Sequence, residues 1–169
     1  MRWAIDSLVA LMIAGVIAGI VLHVRQDEQL QIDTEVVRGD VQRFRQQITL
    51  QSALGVVEMS DQGYPAVIDP EWFKSDQGNL PQNPLLDDQH PWLEIAGPNQ
   101  SDLVHPVNRA VSDRRTAKFW YNPYTGAVRA RVPGGISDVE TILQYNYVNN
   151  CTLESLFVSG SVFDNPNDH

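Results

Sequence analysis

From Leu8 to Leu22 the chain reads LVALMIAGVIAGIVL, 15 consecutive apolar or glycine residues. With Asp6, Ser7 and His23 carried along, the run extends from Trp3 to Val24. Twenty-two helical residues rise about 33 Å, close to the hydrocarbon thickness of a bilayer. Past Arg25 the composition turns polar, yet a helical period persists. Leu30, Thr34, Val37, Val41, Phe44 and Ile48 follow at spacings of 4, 3, 4, 3 and 4, which places them on one face of a helix. The first proline is Pro65, and Gly55 stands where a helix C′ residue belongs. The pattern therefore predicts one helix over 3–54. Its membrane half is residues 1–24, its amphipathic stem is residues 25–55, and a small α+β domain follows over 56–169.

A cleaved secretory signal would need a basic start and a small-x-small site at the end of the run. Arg2 is the only basic side chain before the run, which ends Ile20-Val21-Leu22-His23-Val24-Arg25 with no such site. An uncleaved anchor fits better. Arg2 favours an N-in orientation, but Arg25, Arg38, Arg43 and Arg45 follow the run, so charge does not choose the topology. Asp6 fits two roles. It can sit at headgroup level near the helix N-terminus, or meet a positive group of a neighbouring subunit. Gly15 and Gly19 form a G-x-x-x-G pair that lets helices approach closely.

Beyond Gly55 the period changes. Ser60-Asp61-Gln62-Gly63-Tyr64-Pro65 reads as a turn, and Asp69-Pro70-Glu71-Trp72 as a capped short helix near 70–74. Residues 75–91 form a Pro- and Asn-rich loop pinned by Leu80, Leu85 and Leu86, and Pro91–Ile95 enters a strand. Ala117–Tyr121 and Ala127–Val132 flank Asn122-Pro123-Tyr124-Thr125-Gly126, a β-hairpin whose second arm alternates Val128, Ala130 and Val132 with Arg129 and Arg131. The two arginines are expected on a solvated outer face. Ser137-Asp138-Val139-Glu140 is a capping box opening a helix to about Val148, with Val139, Ile142 and Leu143 as its buried side. Leu153–Phe163 is expected to add a last strand, and 164–169 to fray.

The fold class expected is α+β: a long N-terminal helix packed by its seam (Leu30, Val37, Val41, Phe44, Ile48) on a small antiparallel β-sheet. The same seam could instead pair with another helix as a coiled coil.

Charge narrows the partners. The net charge is -9, all of it beyond residue 24, which argues against nucleic acid or anionic lipid as a ligand. The single cysteine, Cys151, forms no intrachain disulfide. No catalytic constellation is present. His23, His90, His105 and His169 are scattered, and no nucleophile elbow, phosphate loop or metal spacing occurs, so neither an enzyme nor a cofactor is expected. Asp87 and Asp88, with Asn83 and Gln89, could hold calcium, but a solvated loop accounts for them. Trp72, Trp92 and Trp120 read as core rather than as a ligand platform.

The long helix followed by a hairpin, with Tyr64-Pro65 just beyond the stem and Leu80-Pro81-Gln82-Asn83-Pro84 in the loop, resembles the type IV pilin and pseudopilin superfamily. The first motif looks like the family's "YP", and the second is similar to the "LP-x-x-P" loop of major pseudopilins of type II secretion. The resemblance implies a structural or assembly component of a type IV pilus or type II secretion-type system. It would be a single-pass protein of the bacterial inner membrane with its C-terminal domain in the periplasm or outside the cell. Membrane lipid and other pilin-like subunits or assembly proteins would be its partners, in an oligomer. A glutamate early in the family's helix helps align subunits during assembly, and Asp6 takes that place if Arg2 is counted first. The chain departs from the family in its leader and in lacking a stem proline, so an anchored, uncleaved accessory protein fits equally. The alternative is a bitopic coiled-coil scaffold of the cell envelope, with residues 26–54 paired to a partner helix.

Overall fold

The computed structural model describes residues 2–75, 78–111 and 113–156, and for residues 2–10 the backbone alone. The chain divides into two units, Met1–Asp33 and Thr34–His169. Helix α1 comprises Arg2–Leu54, the extent that the absence of proline allows. It stops at Gly55, whose φ of +61° is open to glycine at little cost and whose N–H donates to Gln51 O at 3.1 Å.

In the second unit, residues 34–54 of α1 supply one wall of the core. Val37, Val41, Phe44 and Ile48 are buried, packed with Phe119, Tyr121, Val128 and Ala130 of the hairpin. Phe44 stacks on Phe73 with centroids 4.2 Å apart and lies 5.6 Å from Trp92. The seam is thus covered by the protein's own sheet. Leu30 is a correction: it belongs to the first unit and is exposed, so the buried seam starts at Val37.

The strands are β1 (Leu93–Ile95), β2 (Ala110–Val111), β3 (Phe119–Asn122), β4 (Ala127–Ala130) and β5 (Val132–Pro133). β3 and β4 form the expected hairpin, with Phe119 opposite Ala130 and Asn122 opposite Ala127. Gly126 closes its turn at φ +69°, donating to Asn122 O at 2.8 Å. The sheet is mixed, not antiparallel as expected. β1 lies parallel to β3, and β5 leaves β4 to pair parallel with β2. The long connection from 96 to 118 makes the parallel pairing possible, since a parallel pair needs a crossover rather than a tight turn.

That connection also overturns the reading of the two arginines. It lies over the sheet face opposite α1, where Trp120 Nε1 donates to Gln100 Oε1 at 3.2 Å and Asn122 Nδ2 donates to Leu103 O at 2.7 Å. Arg131 is buried there at 3% exposure rather than solvated, and Arg129 is half-buried.

Helix α2 (Asp138–Asn149) starts as its capping box predicts, with Ser137 Oγ accepting from Glu140 N at 3.2 Å. Its inward side is Ile142, Tyr145, Val148 and Asn149; Val139 and Leu143 are exposed. A stripe spaced 3 and 4 apart can be drawn along this helix in two ways, and Tyr145 and Val148 complete the one that packs on β4 and β5. The short helix appears at Pro70–Phe73, where Asp69 Oδ1 accepts from Glu71 N. Residues 153–156 form no strand; 157–169 lie outside the described residues.

Candidate functional site

Of the residues singled out for function, those for subunit packing, Asp6, Gly15 and Gly19, fall on the first unit, and the seam from Val37 to Ile48 falls on the second. Leu11, Met12 and Ile13 are exposed by 71, 64 and 55%. Successive residues sit about 100° apart around a helix, so these three alone cover more than half its circumference. Val16, Ile17, Ile20, Val21 and Leu22 continue the apolar surface, all exposed. A helix that is apolar all round is normally covered, by lipid or by protein. Its polar end is held by local contacts, with His23 Nε2 3.6 Å from Asp27 and Gln29 Nε2 donating to Asp33 at 2.7 Å. Among the described residues no helix is long and apolar enough to cross a membrane. The apolar run begins earlier, over positions where only the backbone is described. Asp6 is one of these, placed in α1 by its backbone alone.

Gly15 and Gly19 share one side of this helix, four residues apart. A Cβ built on either would meet nothing within 4 Å. Their strip is open to the close approach of another backbone.

In the second unit the loop residues are committed to architecture. Asp40 of α1 is buried and accepts from Gln82 N and from Arg43, which ties the stem to the Leu80–Pro84 loop. Trp92 Nε1 donates to Pro81 O at 3.2 Å. Asn83 is fully buried, its Nδ2 donating to Arg131 O at 2.8 Å and Lys118 O at 3.3 Å. Asp88 pairs with Lys118 at 3.0 Å, and Asp87 Oδ1 accepts from Gln89 N at 3.0 Å. Of the four oxygen-bearing residues considered for calcium, Asp87 and Asp88 thus have side-chain oxygens engaged elsewhere, while the buried Asn83 Oδ1 has no hydrogen-bond partner and Gln89 is engaged through its backbone N–H. No group of three or more His, Cys, Asp or Glu among the described residues could hold a metal ion. Tyr64 packs against the turn at Gly126, and Pro65 O accepts from the Tyr121 hydroxyl at 2.9 Å. Trp120 is fully buried, and Trp72 and Trp92 pack against the core.

Sequence reasoning missed a polar cluster beneath the connection. Arg131 donates to Glu94 at 2.7 Å, to Ala117 O at 2.9 Å and to Asn108 O at 2.8 Å. Arg129 Nε donates to His105 Nδ1 at 3.1 Å, and the Tyr145 hydroxyl lies 3.0 Å from the same nitrogen. An arginine only donates, so Nδ1 is the acceptor and His105 is neutral. Burial, with Arg129, Arg109 and Arg45 nearby, pushes the imidazole down to about 4. Burial raises the Tyr145 hydroxyl and the Cys151 thiol, and lowers the Arg45 guanidinium. Arg45 Nη2 donates to Asn149 O at 2.9 Å, at the C-terminal end of α2. The only signal in the sequence was the pair of arginines alternating with apolar residues, which a strand with both faces covered shares with a half-exposed one.

No protein-family model, no curated protein and no solved structure matches this chain.

Proposed function

We propose that the chain is a membrane-anchored, pilin-like or pseudopilin-like structural or assembly component of a type IV pilus or type II secretion-type system. In this reading it is a single-pass protein of the bacterial inner membrane, with residues 56–169 in the periplasm or outside the cell. The observation that carries the proposal is the burial of Val37, Val41, Phe44 and Ile48 against the chain's own hairpin. A stem already covered in this way has no seam left for a partner helix at those positions, which weighs against the coiled-coil scaffold. The same helix carries an exposed apolar surface nearer its start, available to lipid and to neighbouring stems. Gly15 and Gly19 provide the strip along which stems pack, and Asp6 meets a positive group of the next subunit. The role is assembly, with no reaction assigned to it.

Crosslinking of the full chain in membranes tests the proposal. The protein should resist alkaline carbonate extraction and give a ladder of oligomers. Gly15→Leu together with Gly19→Leu should abolish the ladder and leave the protein in the membrane. A ladder unchanged by these substitutions contradicts the packing, and release by carbonate contradicts the anchor.

A further inference from the structure

A cleft of about 320 Å³ opens where β2 and the chain just after β5 meet the start of α2. Val107, Ala110, Val111 and Leu156 give it apolar walls, and Gly134 and Gly135 add a stretch without side chains. A Cβ built on Gly134 would meet nothing within 4 Å, and Val107 is 52% exposed. Among the described residues β2 is paired on one side only, with β5. A strand edge with an apolar cleft beside it is a surface that proteins normally cover.

The chain itself supplies a cover of the right chemistry. Leu156, the last described residue, is 9% exposed within the cleft wall, and Arg109 Nη1 holds Ser155 O at 2.6 Å. The residues that follow are Phe157-Val158-Ser159-Gly160-Ser161-Val162-Phe163, with no charge and no proline among them. In an extended chain alternate residues share a side, so Val158, Gly160 and Val162 fall on the side of Leu156. Seven extended residues reach about 23 Å, against about 7 Å for the two residues of β2, so the length suffices. Arg109 and Asp138 put one charge of each sign in the walls, which suits a neutral occupant. We propose that residues 157–163 run extended beside β2 and that Val158 closes the cleft. The inference stands apart from the membrane reading, since the cleft and the segment both belong to the second unit.

The test is hydrogen–deuterium exchange of the full chain in detergent micelles, read by mass spectrometry over residues 157–163. Their amides should exchange at least about tenfold more slowly than those of residues 167–169, as amides held in a sheet do. Gly134→Phe puts a ring into the space assigned to Val158, and Val158→Asp puts a carboxylate there. Each should abolish the protection while near-ultraviolet circular dichroism stays that of the wild type. Val67→Asp, at an exposed position outside the cleft, should leave the protection intact. Where Gly134→Phe does not fold, Val158→Asp carries the comparison. Exchange over 157–163 as fast as over 167–169, or protection indifferent to the variants at 134 and 158, overturns the proposal. Protection that disappears on dilution gives the cleft to a second copy of the chain and overturns it as well.

Discussion

Asn149, the last residue of α2, pairs with the backbone of Ala130 as a neighbouring strand would. Its Oδ1 accepts from Ala130 N at 2.8 Å and its Nδ2 donates to Ala130 O at 2.9 Å. β4 has β3 on one side only, and this carboxamide completes its other edge at the one position where the helix end reaches it. Asn149→Ala leaves two buried backbone groups without partners, each costing about 1–3 kcal/mol. The variant should lose about 2–4 kcal/mol in urea unfolding with an unchanged m-value. A loss below about 0.5 kcal/mol would mean that water replaces the amide.

Arg131 and Glu94 form the second structural pair. The guanidinium is buried and ties β1 to both ends of the latter part of the connection through Glu94, Asn108 O and Ala117 O. Arg131→Met should cost about 3 kcal/mol, because two carbonyls and a carboxylate lose their donor. Glu94 is 39% exposed and can turn to water, so Glu94→Gln should cost clearly less. Equal losses from the two changes would show that the arginine acts through the ion pair alone.

His105 gives a pH dependence with a definite sign. Its folded pKa is depressed to about 4 from an ordinary value of 6.5. Between those values the unfolded chain binds the extra proton and the folded chain does not, so stability is highest above pH 6.5 and falls as the pH drops towards 4. The group is half-buried, and with allowance for solvent screening the loss should be about 1–2 kcal/mol. Urea midpoints of the wild type and His105→Gln, measured from pH 7.5 to 4.5, give the contribution by difference. A wild-type profile parallel to that of the variant would show that His105 titrates normally.

Gly126 tests the link between the turn and the segment after the stem. A Cβ there would lie 2.4 Å from the Tyr64 ring, and the residue needs φ +69°. Gly126→Ala should destabilise by about 2–3 kcal/mol. Adding Tyr64→Ala should recover part of the clash but none of the backbone strain. If the double variant is no more stable than the sum of the singles predicts, Tyr64 does not rest on the turn.

Much of this architecture was legible in local pattern. The 3.6-residue period through Val37, Val41, Phe44 and Ile48, the glycine at 55, the cap at Ser137 and the hairpin around Gly126 are each decided by residues within a few positions of one another. What pattern misplaced depends on distant chain. Arg131 is covered by a connection that begins beyond Ile95, β1 finds β3 across more than twenty residues, and the inward side of α2 is chosen by the strands it meets. Leu30 fits the period as well as Val37 does, and period alone does not say where the covering sheet begins. Of the positions proposed for function, Gly15 and Gly19 follow from spacing alone. The surroundings of His105, by contrast, required three separate segments to be brought together.

Val41→Asp in the full chain tests most directly whether the stem serves its own sheet. Val41 is 1% exposed and packed in the core with Phe119 and Ala130. A carboxylate at that position should unfold the second unit, with loss of near-ultraviolet circular dichroism and exposure of Trp120 to quencher, whatever the state of association. If the variant instead keeps the wild-type spectrum and merely dissociates from a dimer to folded monomers, the seam belongs to a partner helix and not to the hairpin, which contradicts the pilin-like stem.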